Sequence, residues 1–592
     1  MRRSLVLAAA CMLAVVVGVA AQQQPAPQAP ADAVKAASEA LGVSALKVAR
    51  FSGFGANFTV GQSPSASDPW PRVTVREYDA VIDYDADAMR VEMTREQGPV
   101  PPRGGGVPFT GTQTQIQFVR GNVAWNVQPP PAGRGGGAGR RGGGPGPAAD
   151  PNRLTADQAN LLIGVRPPGP PPPVPQPNAV IDRRVQIYLT PHGFLRAAAA
   201  NNATARAVDG GTEIAFAVDT IKLTGLVNSR NEVAKITALI DNPVLGDMPV
   251  EATFSNYQTF DEGVLFPLRI VQQTGGHPSL DLWVSRVEIN PQPTSFQDPR
   301  NAPRENTAVN FTVPEAVANA TAPAVTVTNE ELGPGIQYLK GGSHHSVAIE
   351  MRDHVVLVEA PQDEARAAAV IAKTKELFPN KPIRYVVNTH HHFDHSGGLR
   401  TAVAEGATVV THRSNQAFYR EAWSAPRTIN PDRLSEARRR PTFVPVAERH
   451  VLTDGSRSIQ IHRLAGNPHN DGFLMVYLPA EKILIEADAY TPAAAPAAGQ
   501  GGGRQGGGAA ADGGGRAGGA PAAGGRQGGA AAAAPPVNPS TKNLLENIER
   551  LKLDVAQIAA LHGPRLATMD DLRAAVNPPA PAAAPAGGRG GA

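Results

Sequence analysis

Between residues 33 and 305, apolar and polar side chains alternate with a period of two in one segment after another. YDAVIDYDADAMRVEM (78–93), TQIQFVRGNVAWNV (114–127), GTEIAFAVDTIKLTGLVN (211–228) and LDLWVSRVEIN (280–290) show it, with Gly, Asn and Asp between the runs. Such alternation turns one face of a strand to a core and the other to water, and the punctuating residues supply turns. The region therefore predicts a mainly antiparallel β domain. From about residue 320 the rhythm changes. SVAIEMRDHVVLVEAP (346–361) predicts strand, Gln362 to Phe378 an Ala-rich helix, and RYVVNT (384–389) a strand. GGLRTAVAEG then predicts a helix and ATVVTH (407–412) another strand. Near the end, Ser540 or Thr541 can cap a helix that carries Leu544, Leu545, Ile548 and Leu551 on one face, before a strand in VAQIAALHG (555–563). Alternating β and α predicts an α/β layered domain over residues 320–576.

Composition sharpens this division. The chain has 592 residues, with 61 Gly, 56 Pro and only 18% charged side chains. The Gly and Pro concentrate in a few tracts: 98–108 with 128–150, the proline run 167–177, the insert 495–536 and the tail 577–592. These read as exposed, disordered or extended inserts, and what remains has an ordinary core-forming composition. The net charge of +3 is too small to imply a nucleic-acid surface, and several of the arginines lie in glycine runs. Arg2 and Arg3, an apolar run from Leu5 to Val19 and small residues up to Ala21 form the pattern of an export signal over 1–21, the alternative being a retained anchor. Export predicts a periplasmic or secreted protein. Cleavage at Ala21 removes Cys11, the only cysteine, so the mature chain has no disulfides and any metal must be held by His and carboxylate.

Twelve of the fourteen histidines lie at or beyond residue 344, which assigns metal chemistry to the second domain. Four of them fall in VNTHHHFDHSGG (387–398), where RYVVNT delivers a strand end and SGG opens a turn. Loops at the carboxyl ends of strands are where α/β folds place their sites. The spacing of His390, His392, Asp394 and His395 can send two imidazoles to one metal and a carboxylate plus an imidazole to a second, with His391 and Phe393 pointing elsewhere.

This spacing, with Thr389 before it and Gly397-Gly398 after it, resembles the metallo-β-lactamase-fold hydrolases. The resemblance implies a four-layer αββα domain and a fuller ligand set. GNPHNDG (466–472) supplies His469, FLMVYLPAEKILIEADAY (473–490) supplies Asp488, and IAALHG (558–563) supplies His562. By carry-over one metal takes His390, His392 and His469; the other takes Asp394, His395 and His562, with Asp488 bridging. Two zinc ions suit this nitrogen and oxygen set, which iron or manganese also fit. The implied chemistry is hydrolysis by a metal-bridging hydroxide, with Asp394 as the catalytic residue that orients it and handles its proton. Tyr490 is a candidate to reach a substrate oxygen, against a plain packing role.

The implied substrate is a small ester, lactone, thioester, amide or phosphodiester. Zinc β-lactamases place Cys or Ser where Asp488 stands, so β-lactam hydrolysis is the alternative. Glu359 reads as a structural group, the His344-His345 pair as either pocket rim or solvent-facing, and His192, His277, His354, His412, His450 and His462 as surface or packing residues. FDEGVLFPLRIVQQTGG with LDLWVSRVEIN is weakly similar to the periplasmic lipoprotein-carrier half-barrels, which implies a lipid or hydrophobic ligand for the N-terminal domain. A protein of another class, a hydrophobic-ligand binder with a non-catalytic metal domain, follows from that likeness.

Overall fold

The computed structural model describes residues 30–99, 103–105, 111–128, 172–291, 311–494 and 537–578. The export signal, the insert 495–536, nearly all of the tail and most of the other Gly/Pro tracts lie outside the described residues.

The first domain is built on one 13-stranded sheet in which all neighbours pair antiparallel. Its first strand, Val48–Phe58, pairs with its last, His277–Ile289. From this seam the sheet runs outward in chain order on both sides, to Val174–Pro175 at one edge and Thr204–Val208 at the other. Each segment with period-two alternation contributes to this sheet, three of them as hairpins or parts of one. YDAVIDYDADAMRVEM, for example, holds the end of Arg72–Asp83, a turn, and the start of Ala88–Glu96.

The proline run ends differently from the loop it predicts. Val174–Pro175 adds to the sheet edge beside Trp125 and Asn126, where a strand that lacks a donor is tolerated.

Three helices that the alternation does not predict, Pro30–Leu41, Val180–Tyr188 and Pro191–Ala200, pack against the sheet through Val34, Ala37, Leu41, Val185, Phe194 and Leu195. The third carried a readable signal. Thr190 precedes Pro191, and its hydroxyl accepts from the Gly193 amide at 3.2 Å as an N-cap.

His192 sits fully buried in this core, donating from Nε2 to the Leu41 carbonyl at 3.1 Å and stacking on Phe266. Burial pushes its imidazole down from the ordinary 6.5 to about 4. The unfolded chain takes up this proton as pH falls through the ordinary value, whereas folded His192 stays neutral until near pH 4. Its contribution to stability is therefore complete above about pH 6.5 and is lost between there and about pH 4, at about 1.4 kcal/mol per pH unit. His192→Phe should flatten the pH dependence of chemical denaturation across that window by up to one proton. A slope equal to the parent's would contradict this.

The second domain has four layers. A seven-stranded sheet runs from Thr328–Gly333 to Phe443–Val446, antiparallel in its first four strands and parallel in the rest. A five-stranded sheet runs from Arg449–Thr453 to Gln557–Ala560. Ile336, Val347, Val356, Ile459, Ile461, Val476 and Ile485 pack in one core that joins the sheets. Helices Glu364–Leu377, Leu399–Ala404 and Asn415–Ala422 cover the first sheet through Val370, Ile371, Leu399 and Tyr419. Pro539–Leu551 and Met569–Val576 join the core on the side of the second sheet through Leu544, Ile548 and Leu572. The buried strands Val355–Val358 and Leu474–Leu478 are continuous apolar runs, as is Ile483–Glu486 up to its last residue, in keeping with strands covered on both faces.

Candidate metal centre

Four loops at strand ends meet at one edge of the sandwich. The first follows strand Ile383–Val387, and Asn388 pins it. The Asn388 amide donates to the carbonyls of His390 (2.6 Å) and His395 (3.3 Å), and its oxygen accepts from the Tyr419 hydroxyl at 2.6 Å and Thr411 Oγ1 at 3.1 Å. These bonds fold FDHS into a one-turn helix, Phe393–Ser396, rather than the open loop the sequence predicts. Glu359, fully buried, accepts from the Thr389 amide at 2.7 Å and faces His395 Nδ1 at 3.5 Å with its other oxygen. It thus ties down the backbone before His390 and stands behind the His395 ring.

His469 lies in the loop 466–472. Asn467 shapes that loop by accepting from the His469 amide (2.9 Å) and from Ser540 Oγ (2.6 Å) on the helix beyond. Asp488 sits on a turn after Ile483–Glu486, where a Glu486 oxygen takes the amides of Ala489 (3.0 Å) and Tyr490 (3.1 Å). His562 follows the strand Gln557–Ala560.

The structure brings the seven predicted ligands together. Three imidazole nitrogens converge: His390 Nε2 lies 3.0 Å from His392 Nδ1 and 3.2 Å from His469 Nε2. Beside them, Asp488 turns Oδ2 toward His469 Nε2 (3.1 Å) and His390 Nε2 (3.7 Å). Its other oxygen, Oδ1, faces His395 Nε2 at 2.9 Å and His562 Nδ1 at 3.2 Å. Asp394 Oδ2 completes the second group, 3.6 Å from His395 Nε2. One carboxylate therefore stands between two sets of donors.

His344, read from sequence as rim or solvent-facing, is buried here with Nε2 3.1 Å from Asp394 Oδ2 and its ring stacked on His562 at 4.2 Å. No spacing signal marked it, because it arrives from the loop after strand Ile336–Lys340. Tyr490 stands apart, with its ring in the sheet-to-sheet core and burial raising its hydroxyl above the usual range. His391 points away from the donors to Ser63 Oγ (2.9 Å) and Asn470 (3.0 Å).

Protonation divides the site. Burial, then the neighbouring imidazoles, hold His390 and His392 well below the usual histidine range, so both keep bare lone pairs near neutral pH. Burial works against a charged His395 too, but Asp488 and Asp394 outweigh it and hold this imidazole well above its usual range. Burial would raise both carboxyls; the charge of His395 beside them holds them well below theirs.

The donor set fits metal ions. Each neutral imidazole leaves one nitrogen bare, and three rings bring a nitrogen into one small buried space beside a carboxylate, a donor set that a cation can take. His395 Nε2, although 2.9 Å from Asp488 Oδ1, makes no well-directed hydrogen bond with it. Both observations are what atoms aimed at a common cation show.

A four-layer αββα domain with clustered histidines and acids at one edge of its sandwich defines a class of metal-binding proteins. Residues 339–555 match the family model described as "Metallo-beta-lactamase superfamily", and this part of the chain belongs to that superfamily. Among solved structures, a mono-zinc metallo-beta-lactamase from Pseudomonas aeruginosa is similar at 17% identity, covering 43% of this chain and 96% of its own, with a TM-score of 0.29. One from Hirschia baltica is 18% identical over 43% and 97% of the two chains (TM-score 0.28), and one from Pontibacter korlensis is 14% identical over 43% and 98% (TM-score 0.28). No curated protein matches the chain significantly.

Proposed function

We propose that this chain is an exported hydrolase with a two-metal, most simply two-zinc, centre that cleaves a small ester, lactone, thioester, amide or phosphodiester. The observation that carries the reading is the Asp488 carboxylate, one oxygen toward His390 and His469 and the other toward His395 and His562. His390, His392 and His469 would hold one ion, Asp394, His395 and His562 the other, and Asp488 both. Bound there, the pair would supply Lewis acidity and an acidified water near neutral pH.

The chain's own residues do the rest. Glu359 and the Thr389 amide fix the loop that presents His395. Asp394, with Oδ1 held by a hydrogen bond and Oδ2 beside His344 and His395, would orient the attacking water and handle its proton. The buried rings of His390, His392 and Phe473 wall off one side of the site, while His562 leaves 36% of its side chain exposed and so marks the side open to substrate. Export rests on the basic start and apolar run at residues 2–21; no helix among the described residues is long and apolar enough to cross a membrane.

The metal-loaded full chain, screened against ester, lactone, thioester, phosphodiester and β-lactam probes, should turn over at least one class and lose that activity on chelation. Inactivity toward all of them with metal bound would contradict the reading and favour a binding protein.

A further inference from the structure

The metal centre is not closed by its own domain. The connection between the N-terminal strands Val48–Phe58 and Arg72–Asp83 reaches into it through Gln62 and Ser63. Gln62, 2% exposed, donates from Nε2 to Asp394 Oδ1 at 2.8 Å across 332 residues of sequence. The other oxygen of that carboxylate is the one near His395 Nε2 and His344 Nε2. Next to Gln62, the Ser63 carbonyl accepts from His392 Nε2 at 2.8 Å. A ring that donates from Nε2 leaves Nδ1 bare when neutral, and Nδ1 is the atom 3.0 Å from His390 Nε2.

The docking that holds this loop is specific. Gly61 has φ +74°, and a Cβ there would lie 2.5 Å from the Phe393 ring, so only glycine fits. The Phe393 amide donates to the Gly61 carbonyl at 3.3 Å, and the Asp471 amide to that of Pro64 at 2.8 Å. Arg103 grips both oxygens of Asp471 at 2.9 Å, and the Gly104 amide reaches the Pro468 carbonyl at 2.9 Å. Both ligand-bearing loops, 390–395 and 466–472, are therefore held from the N-terminal domain.

We propose that the metal centre is assembled across the two domains, with Gln62 positioning Asp394 and the Ser63 carbonyl fixing the tautomer of His392. The proposal rests on the metal-binding reading above. It gives the β domain a role at the site itself rather than that of a separate binding module. Partners that orient ligands in this way are commonly worth about 10- to 100-fold in metal affinity. A uniform loosening of the fold would not single out one of two ions.

The test uses the full chain loaded with cobalt. Gln62→Met, which keeps the volume and removes the donor, should weaken one of two cobalt affinities by about 10- to 100-fold in chelator competition and change the visible absorption of the loaded protein. The second affinity should stay within about threefold, since only the ion bound by Asp394 loses an oriented ligand. Affinities and spectrum identical to the parent's would overturn the role of Gln62.

A second measurement needs no variant. In the metal-free parent with 15N-labelled histidine, His392 should appear as the Nε2–H tautomer, and an Nδ1–H tautomer would overturn the role of Ser63. If the parent binds no metal at all, the hydrolase reading fails, while the tautomer still reports on the domain contact.

Discussion

Asp488→Ala is expected to lower turnover about 10³-fold or more on every substrate the parent accepts, even with metal in excess. Several kcal/mol of transition-state stabilisation come from metal Lewis acidity, and each 1.36 kcal/mol is tenfold in rate. Asp488 faces both histidine groups, at 3.1 Å from His469 Nε2 and 2.9 Å from His395 Nε2. Removing it takes a ligand and a negative charge from both positions at once. It also leaves His395 buried with only more distant acids, Glu359 at 3.5 Å and Asp394 at 3.6 Å. Kinetics at saturating substrate with metal titrated in would check this, and a variant within tenfold of the parent would show that Asp488 is a turn-forming acid only.

Stripping the metal should cost the second domain about 4 kcal/mol when the free ion had been held near a thousand times its Kd. For a domain of this size that corresponds to about 10 °C in melting temperature. The physical source is the crowding of buried imidazole nitrogens 3.0–3.2 Å apart, which a cation would join into one set of bonds. Scanning calorimetry with and without chelator would measure the difference. Superimposable traces would mean that the histidines form an ordinary hydrogen-bonded cluster.

Much of this was legible in the chain because the relevant signals are local. Period-two alternation comes from strands with one buried face, and those segments became the 13-stranded sheet. The His390-x-His392-x-Asp394-His395 spacing follows from a strand end turning into a helix, which the bonds of Asn388 hold in shape. The candidates His469, Asp488 and His562 follow from resemblance and order, not from spacing, since a site at the ends of several strands has no fixed sequence separation.

What escaped depends on tertiary docking. Gln62 sits in a connection with no motif, and its importance exists only because one domain's turn lies against the other's ligand loop. His344 was visible as half of a histidine pair, yet nothing local said which way it faced. The helices Val180–Tyr188 and Pro191–Ala200 were obscured by the proline run before them, although Thr190-Pro191 gave the start of one.

The most direct measurement is the metal content of the purified full chain after equilibration with zinc and removal of unbound ion, by elemental analysis against protein concentration. A centre in which one carboxylate serves two donor groups predicts about two ions per chain. Fewer than about one per chain would contradict it.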